Sequence, residues 1–364
     1  MQIGKISEPA LKRSVLRPLY EDPASCSVHY GADRAAVKQK DGLLTIYTTV
    51  NEVPGFAKDP GKWILAASNH LAAAGAEPES FLISAILPPD YEEQQLKADL
   101  CKMKEAALHA VRKDQDLLRE EAAGTGQSGQ KKKSCPIIGG HTQVVSTVKA
   151  PIYSVTGIGT AAADSCRDQR FLEPGDDLVV TNAIALGGTA ALAKENEKEL
   201  RSRYPLMLVE RAKQFEEQMA VGEAARAITH FGAAAVKDLS QGGIFNALWE
   251  MADRSGVGLE VDLKKIPVRQ ETIEICEYFD CNPYYLYSAG ALLVGTPHGE
   301  ALVSYLASKG ISAVVIGRAT AGNDRIVRNG SEQRYLDRPK PDEWYRIEME
   351  TGGQKSERAD INIS

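Results

Sequence analysis

The chain has 364 residues, of which 43% are hydrophobic and 25% are charged, and its formal net charge is −6 at pH 7. This length predicts two domains of about 150 to 200 residues each, and this composition excludes wholesale disorder and a disulfide-dense scaffold. Lysine and arginine are scattered apart from the run at 131–133, so there is no basic stripe that would favour nucleic-acid binding.

Strands and helices alternate along the first half, and some strands are adjacent in sequence, which predicts an α+β fold with mixed sheets. A β-branched stretch predicts a strand over 42–50. Apolar residues spaced three and four apart predict a buried helix over 60–74. A strand over 80–87 and a long amphipathic helix over 91–113 follow.

The stretch 122–134 contains three glycines and the lysine run. It is typical of a solvated linker, and a mobile flap over an anionic ligand is the alternative. Strands are predicted over 135–147, 151–160 and 177–185, with a turn signal between the last two. We therefore expect a domain boundary near residue 165.

The second half predicts a mixed α/β domain, with a first run of three helices and then alternating strands and helices. The predicted helices are 188–203, 206–219, 221–232 and 242–255, and the predicted strands are 233–239 and 258–263. The domains are accordingly predicted as residues 1–165, residues 166–340 and a C-terminal tail of residues 341–364.

Two glycine-rich segments are candidate anion sites. Gly139, Gly140, His141 and Thr142 lie next to a predicted strand, where glycine amides and a threonine hydroxyl could face a phosphate. A simple turn at the end of a strand is the alternative.

The second segment, Asp238–Gly243, leads from a strand into a helix, and Gly242 and Gly243 stand at its end. A helix N-terminus carries partial positive charge and unpaired amides, so it could hold an anion. A polar cap without any ligand is the alternative.

Three further polar residues could serve a ligand. Asp33 is a candidate metal ligand or the start of an Asx turn. Asn69 and His70 lie on a predicted alanine-rich helix, where they could face a ligand cleft or be hydrogen-bonded core residues.

The six cysteines have no repeating spacing, which predicts free thiols in a reducing compartment. Cys276 and Cys281 are the close pair, and ordinary thiols at a helix end and a zinc site are the two interpretations. We find no signal peptide and no apolar run of about 20 residues, so we expect a cytoplasmic protein without a membrane anchor.

In their order along the chain, these segments resemble the AIR synthase-related (PurM-like) family, which includes AIR synthase, selenophosphate synthetase, thiamine-monophosphate kinase and HypE. The resemblance extends to about residue 347 and is strongest to archaeal-type hydrogenase expression/formation proteins of the HypE kind. The segments that carry it are 1–6, 67–78, 139–144, 238–243, 255–262 and 341–346.

This resemblance implies a two-domain fold in which the N-terminal domains pair as a dimeric β-barrel with flanking helices, followed by a mixed α/β domain. It implies a homodimer, a cleft for ATP and Mg2+, phosphorylation of a carbonyl or amide oxygen on an unknown substrate, and a maturation-type protein partner. It names no catalytic residue. The cofactor-binding positions that it implies are Asp33 (also as the metal ligand), Asn69, Gly139, Gly140, His141, Thr142, Asp238, Gly242 and Gly243.

The chain departs from the family pattern where the chemistry would occur. Family carboxylates correspond here to Val50, His70, His141 and Ala289, and a family arginine corresponds to Gln241. The chain ends in Ser364 where HypE has its acceptor cysteine. Because Mg2+ prefers oxygen ligands, these changes predict weakened Mg2+-ATP binding. A non-catalytic dimeric binding paralogue with little or no ATP binding is therefore the alternative.

Overall fold

In a computed structural model of the chain, the described residues are 6–19, 34–39, 42–122, 136–163, 166, 171–232 and 235–350. The chain divides into two compact units. The first unit comprises residues 32–168, and the second comprises residues 1–31 together with 169–364. The N-terminal segment is grouped with the second unit, and the domain bounds 1–165, 166–340 and 341–364 stay predictions.

The N-terminal segment consists of α1 (Glu8–Leu11), a π-helical turn (Lys12–Leu16) and α2 (Arg17–Leu19). Glu8 accepts a hydrogen bond from the indole Nε1 of Trp249 at 3.1 Å, and Lys12 donates to Asp253 at 2.8 Å. These contacts link residues about 240 positions apart, which is why no local sequence pattern predicts them.

The first unit is a five-stranded sheet in the order β1-β2-β5-β3-β4, in which β4 runs parallel to β3 and the other neighbours are antiparallel. Its elements are β1 (Arg34–Lys38), β2 (Leu43–Val50), α3 (Gly61–Ala73), β3 (Glu77–Leu87), α4 (Glu93–Ala122), β4 (Ile137–Val144) and β5 (Ile152–Ala162).

One face of this sheet is covered and the other is open. Along β3, Phe81, Ile83 and Ala85 are buried while the residues between them are exposed or half-buried, as expected for a strand with one face in the core. Ile64 and Leu71 of α3 are fully buried. The predicted buried helix and the predicted strands of this half are therefore confirmed.

The second unit is a seven-stranded sheet in the order β12-β11-β8-β10-β6-β9-β7. Its helices are α5 (Leu186–Glu195), α6 (Glu197–Arg203), α7 (Leu206–Gln214), α8 (Gly222–Phe231), α9 (Gly243–Ser255), α10 (Gln270–Tyr278) and α11 (Gly299–Ser308). Its strands are β6 (Asp177–Thr181), β7 (Ala235–Asp238), β8 (Gly258–Asp262), β9 (Leu292–Thr296), β10 (Ala313–Thr320), β11 (Arg325–Asn329) and β12 (Glu332–Tyr335).

Strands β6 and β7 both pair antiparallel with β9, which lies between them. They are therefore parallel to each other, and their carboxyl ends meet at the same edge of the sheet. Helices α5 and α9 begin just after these two ends. Ligand sites of open α/β sheets commonly form at such an edge.

Two sequence-based boundaries differ from the structure. The strand predicted over 177–185 ends at Thr181, because Asn182 and Ala185 have φ of 56° and 60°, which a strand does not allow. The described part of the predicted tail is helical over 343–350, and Trp344 and Ile347 are buried.

Among the helices of the described residues, none combines the length and the apolar character that a membrane span would require.

Candidate functional site

The glycine-rich segment of the first unit lies on β4, at the edge of the sheet. Residues Gly139 to Thr142 are all exposed, and in the part of the chain that the structure describes β4 pairs with β3 alone. An edge strand leaves a row of backbone amides and carbonyls without a sheet partner. This segment therefore presents donors that could bind a phosphate.

The backbone conformation of β4 requires glycine at position 140. Its φ is 150°, and a Cβ atom added there would lie 1.7 Å from the carbonyl oxygen of Ile83. At Gly139 an added Cβ would be 3.5 Å from its nearest neighbour, Leu82 Cδ2, which is an ordinary contact. The pair of glycines therefore has one position that demands glycine and one that does not.

Asn69 and His70 lie in the buried part of α3, with 5% and 9% of their surface exposed. The Thr48 hydroxyl and His70 Nδ1 form a hydrogen bond of 2.9 Å, and Arg34 Nη1 donates to the His70 carbonyl oxygen at 2.8 Å. In this structure His70 is a hydrogen-bonded core residue, which was one of the two interpretations that the sequence left open.

The residues that replace family carboxylates do not rebuild a magnesium site. Val50 is buried and apolar, with 6% exposure, and one ring nitrogen of His70 is engaged by Thr48. Among the described residues no group of three His, Cys, Asp or Glu side chains could hold a metal ion. Asp33, the predicted metal ligand, lies outside the described residues.

His141 and His70 belong to different faces of the sheet. His141 is opposite Ser84, whose neighbours Ile83 and Ala85 point into the helix-covered core, so His141 is on the open face. His70 contacts Thr48, which is buried on the covered face.

Strands β2 and β4 are also three strand spacings apart, or about 14 Å. The structure does not bring the predicted residues of α3 and β4 together within one sheet.

The second glycine-rich segment joins β7 to α9 at the shared edge of β6 and β7. Asp238 ends β7 and is buried, and Gly242 and Gly243 have φ of 77° and 63°. A Cβ atom at Gly243 would lie 2.4 Å from the carbonyl oxygen of Tyr284. The glycines therefore serve a left-handed turn that packs tightly against the 284–288 loop.

The group that binds this turn is a carboxyl group of the chain itself. The backbone N–H of Gly242 donates to Asp342 Oδ2 at 2.7 Å, and the N–H of Trp344 donates to Asp342 Oδ1 at 3.0 Å. The Tyr287 amide is a third donor. Burial raises the pKa of Asp342 from 3.8 to about 7, although these three amides act in the opposite direction.

A second set of hydrogen bonds holds the segment that carries Asp342. Asn246 Nδ2 donates to the Lys340 carbonyl oxygen at 2.7 Å, and the Lys340 N–H donates to Asn246 Oδ1 at 3.1 Å. Sequence reasoning missed this arrangement because its partners are about 100 residues apart.

Two backbone amides at the start of α5 also have partners within the chain. The Ala185 N–H donates to the Ser288 hydroxyl, and the Gly188 N–H donates to the Tyr287 carbonyl oxygen, both at 2.8 Å. Ala289, at the family's acidic position, is buried and introduces no charge.

Two family models match this chain. The model of the AIR synthase related protein N-terminal domain matches residues 31–161, and that of the C-terminal domain matches residues 173–328. Together they span most of both structural units.

Curated relatives of known description agree with these matches. The carbamoyl dehydratase HypE of Rhodobacter capsulatus is 28% identical over 284 residues, covering 76% of this chain and 74% of the relative. A hydrogenase expression/formation protein of Methanocaldococcus jannaschii is 24% identical over 269 residues, covering 71% and 69%.

Solved structures share the fold. A HypE–HypF complex gives a TM-score of 0.67 at 19% identity, covering 91% of this chain and 100% of that one. HypE in complex with ATP gives 0.59 at 17% identity, covering 94% and 97%. With both domain models matched, this chain belongs to the AIR synthase-related family and is similar to its HypE proteins.

Proposed function

We propose that this protein uses ATP to phosphorylate a carbonyl or amide oxygen, as an activity of the HypE kind on a substrate still to be identified. The observation that carries the proposal is the similarity to carbamoyl dehydratase HypE across three quarters of both chains. The similarity in fold to HypE in complex with ATP supports the choice of nucleotide. Phosphorylation converts a poorly leaving oxygen into a good leaving group.

In this proposal the exposed edge of β4 holds the phosphates. Backbone amides between Gly139 and Thr142 and the Thr142 hydroxyl are the donors available for phosphate oxygens. Phosphoryl transfer depends mainly on positioning and on stabilising negative charge, so donors fixed on a strand suit it. We keep as proposed site positions Asp33, Asn69 and the turn Asp238–Gly243. The turn would contribute to the site while its Gly242 amide stays bonded to Asp342.

Magnesium fits the described residues poorly. When bound beside ATP it would neutralise phosphate charge, but Val50 and His70 provide no carboxylate oxygen for a hard cation. We therefore expect ATP binding that depends only weakly on Mg2+.

We propose that the protein is a homodimer paired through the open face of the first sheet. Six large apolar side chains are exposed on that face: Val37, Leu43, Tyr47, Leu82, Ile86 and Ile152. An apolar set of this kind is typical of a protein interface. Sedimentation equilibrium should give a dimer, and Leu82→Glu with Ile86→Glu should give a monomer, whereas Ile273→Glu on α10 should leave the dimer intact.

We place the activity in the cytoplasm and expect a maturation-type protein partner. Among the described residues, Cys101, Cys276 and Cys281 are free thiols, which a reducing compartment maintains. The similarity to the HypE of a HypE–HypF complex motivates the partner. Binding of the purified chain to a HypF-type protein would test it.

A dimeric binding paralogue without turnover is the second candidate. One observation favours it: at two positions where the resemblance implies carboxylates, Val50 is a buried apolar residue and His70 is a buried residue bonded to Thr48. Such a protein would keep the interface and bind ATP weakly or not at all.

Calorimetry with ATP, in the presence and absence of Mg2+, together with an assay for ADP release, separates the two candidates. ATP binding followed by ADP release would support the enzyme. If millimolar ATP gives neither heat nor ADP, the enzyme proposal fails and the binding paralogue stands.

A further inference from the structure

The end of α10 brings two cysteines side by side. The Cys281 N–H donates to the Cys276 carbonyl oxygen at 2.9 Å, and the Asp280 N–H donates to the Glu277 carbonyl oxygen at 3.3 Å. Asp280 has a left-handed φ of 46°. This pair of bonds around a left-handed residue is the Schellman motif, in which the first and last residues contact each other.

In most proteins that contact is between two hydrophobic side chains, and here it is between two thiols. Cys276 and Cys281 are both free and buried. Their thiols are hydrogen-bonded to each other, and this bond together with burial raises the pKa of Cys276. The thiol of Cys276 is therefore held in its protonated form in the reduced pair.

The segment between the two cysteines also anchors the C-terminal helical segment 343–350. Arg346 Nη2 donates to the carbonyl oxygens of Phe279 at 3.3 Å and Asp280 at 2.6 Å. Arg346 Nε also donates to Glu343 at 3.0 Å. A change in the backbone between the two cysteines would therefore act directly on the hydrogen bonds that Arg346 makes to it.

We propose that Cys276 and Cys281 form a redox-active dithiol, which a small-molecule disulfide such as oxidised glutathione converts into an intrachain disulfide. One thiol loses its proton and attacks a glutathione sulfur, releasing one reduced glutathione and leaving a mixed disulfide. The second thiol then loses its proton and attacks the cysteine sulfur of that mixed disulfide, releasing the second glutathione. The protein loses two electrons and two protons, and the glutathione disulfide gains them.

The motif fixes the geometry that this reaction needs. The thiols of Cys276 and Cys281 are already hydrogen-bonded to each other, and a disulfide requires neighbouring Cβ atoms about 3.5 to 4.5 Å apart. Because the pKa of Cys276 is raised, the thiolate of this residue is scarce at neutral pH, and attack by Cys276 is slow. Its rate should therefore rise as pH increases above 7.

Formation of the disulfide would also restrict the movement of the carbonyl groups that Arg346 binds. A cross-link limits the opening of the chain that it encloses, so amide exchange in 343–350 should be slower in the oxidised protein than in the reduced protein. This readout tests whether the dithiol is coupled to the C-terminal anchor.

Peptide mapping of the full chain tests the proposal directly. Trypsin should release residues 270–309 as one peptide that contains Cys276, Cys281 and no other cysteine. After incubation with oxidised glutathione, denaturation and alkylation, we expect this peptide to carry no alkyl group and to have lost two hydrogen atoms. Treatment with dithiothreitol should restore two alkylation sites.

Cys101 is the internal control, because it is exposed and lies on a different peptide. Its modification shows that the reagent was active. If Cys101 is modified while both thiols of 270–309 are alkylated, or if glutathione remains attached to that peptide without closure, the proposal is wrong. Cys276→Ser and Cys281→Ser should each abolish the loss of two hydrogen atoms.

Discussion

The two glycine-rich segments of this protein look alike in sequence and differ in what their backbone amides can still bind. On β4, residues Gly139 to Thr142 are exposed at the edge of a sheet. At the start of α9, the Gly242 amide is already bound by Asp342. Glycine at a strand end thus marks close backbone packing in both places, but only the edge strand offers free space for a ligand.

The turn before α9 and the covered face of the first sheet also differ in their buried carboxyl groups. The turn holds two of them, on Asp238 and Asp342, whereas the covered face has Val50 and His70 at positions where the resemblance implies carboxylates. These two positions of the first unit therefore offer no negative charge to a metal ion.

The largest expected effect comes from Gly140→Ala. The added Cβ atom would collide with the Ile83 carbonyl oxygen, so β4 must separate from β3. We expect a loss of about 3 kcal/mol in the free energy of unfolding, and a loss of ATP binding if β4 holds the phosphates. Urea denaturation and calorimetry measure the two effects.

The matched control is Gly139→Ala, where the nearest atom to the new Cβ is a movable side chain at 3.5 Å. We expect it to cost less than about 1 kcal/mol. Equal losses in the two alanine variants would contradict the idea that one position of the pair demands glycine.

The second prediction concerns the pH dependence of the stability that the buried Asp342 carboxyl group contributes. The pKa of Asp342 is about 7 in the folded protein against an ordinary value of 3.8, so the folded state holds a proton that the unfolded state releases. The stability that this group contributes therefore falls as pH rises from about 4 to about 7, and is constant above that range.

The free energy of unfolding of the wild type, minus that of Asp342→Asn, should fall by about 2 kcal/mol between pH 5 and pH 7. Urea denaturation at several pH values measures this difference. Asp337 is the control, because Lys340 lowers its pKa, and Asp337→Asn should show no fall in this window. A flat profile for Asp342→Asn would mean that the carboxylate is not buried as described.

The sequence predicts a helix or strand of this protein correctly where a local pattern of residues determines that element. The helix 60–74 and the strand 80–87 were predicted correctly because the apolar spacing of Ile64, Leu71 and their neighbours is a local pattern. The end of β6 was placed too late, since the left-handed Asn182 depends on tertiary contacts such as its bond to the Gly290 carbonyl oxygen.

The candidate site shows the same limit more strongly. Sequence alone selected Asp238–Gly243 as an anion site, and a carboxylate does contact that turn, but it belongs to Asp342, about 100 residues away. The pairing of Thr48 with His70 is likewise a contact between separate elements. Residue types and glycine spacing indicate where an acidic group could bind. The tertiary structure determines that this group is the Asp342 side chain.

The third prediction restores carboxylates to the first unit. In the double variant Val50→Asp with His70→Asp, two carboxylates replace the apolar side chain and the imidazole, and we expect the variant to bind Mg2+ about tenfold more tightly than the wild type, or about 1.4 kcal/mol. Calorimetry with Mg2+ alone measures this gain. The single variant Val50→Leu is the control and should show no gain. If the double variant binds Mg2+ no more tightly than the wild type, the missing carboxylates are not the reason for weak metal binding.

The smallest expected effect tests the free donors of β4 without disturbing the strand. Thr142→Val keeps the shape of an exposed side chain and removes its hydroxyl, so stability should stay within about 0.5 kcal/mol of the wild type. ATP affinity should fall about fivefold, which corresponds to about 1 kcal/mol for one hydrogen bond.

Thr49→Val, at an exposed threonine of β2 in the same sheet, should leave ATP affinity unchanged because β2 is three strand spacings from β4. If both valine variants bind ATP as the wild type does, then β4 is a packing edge like the turn before α9, and the difference between the two glycine segments has no functional meaning.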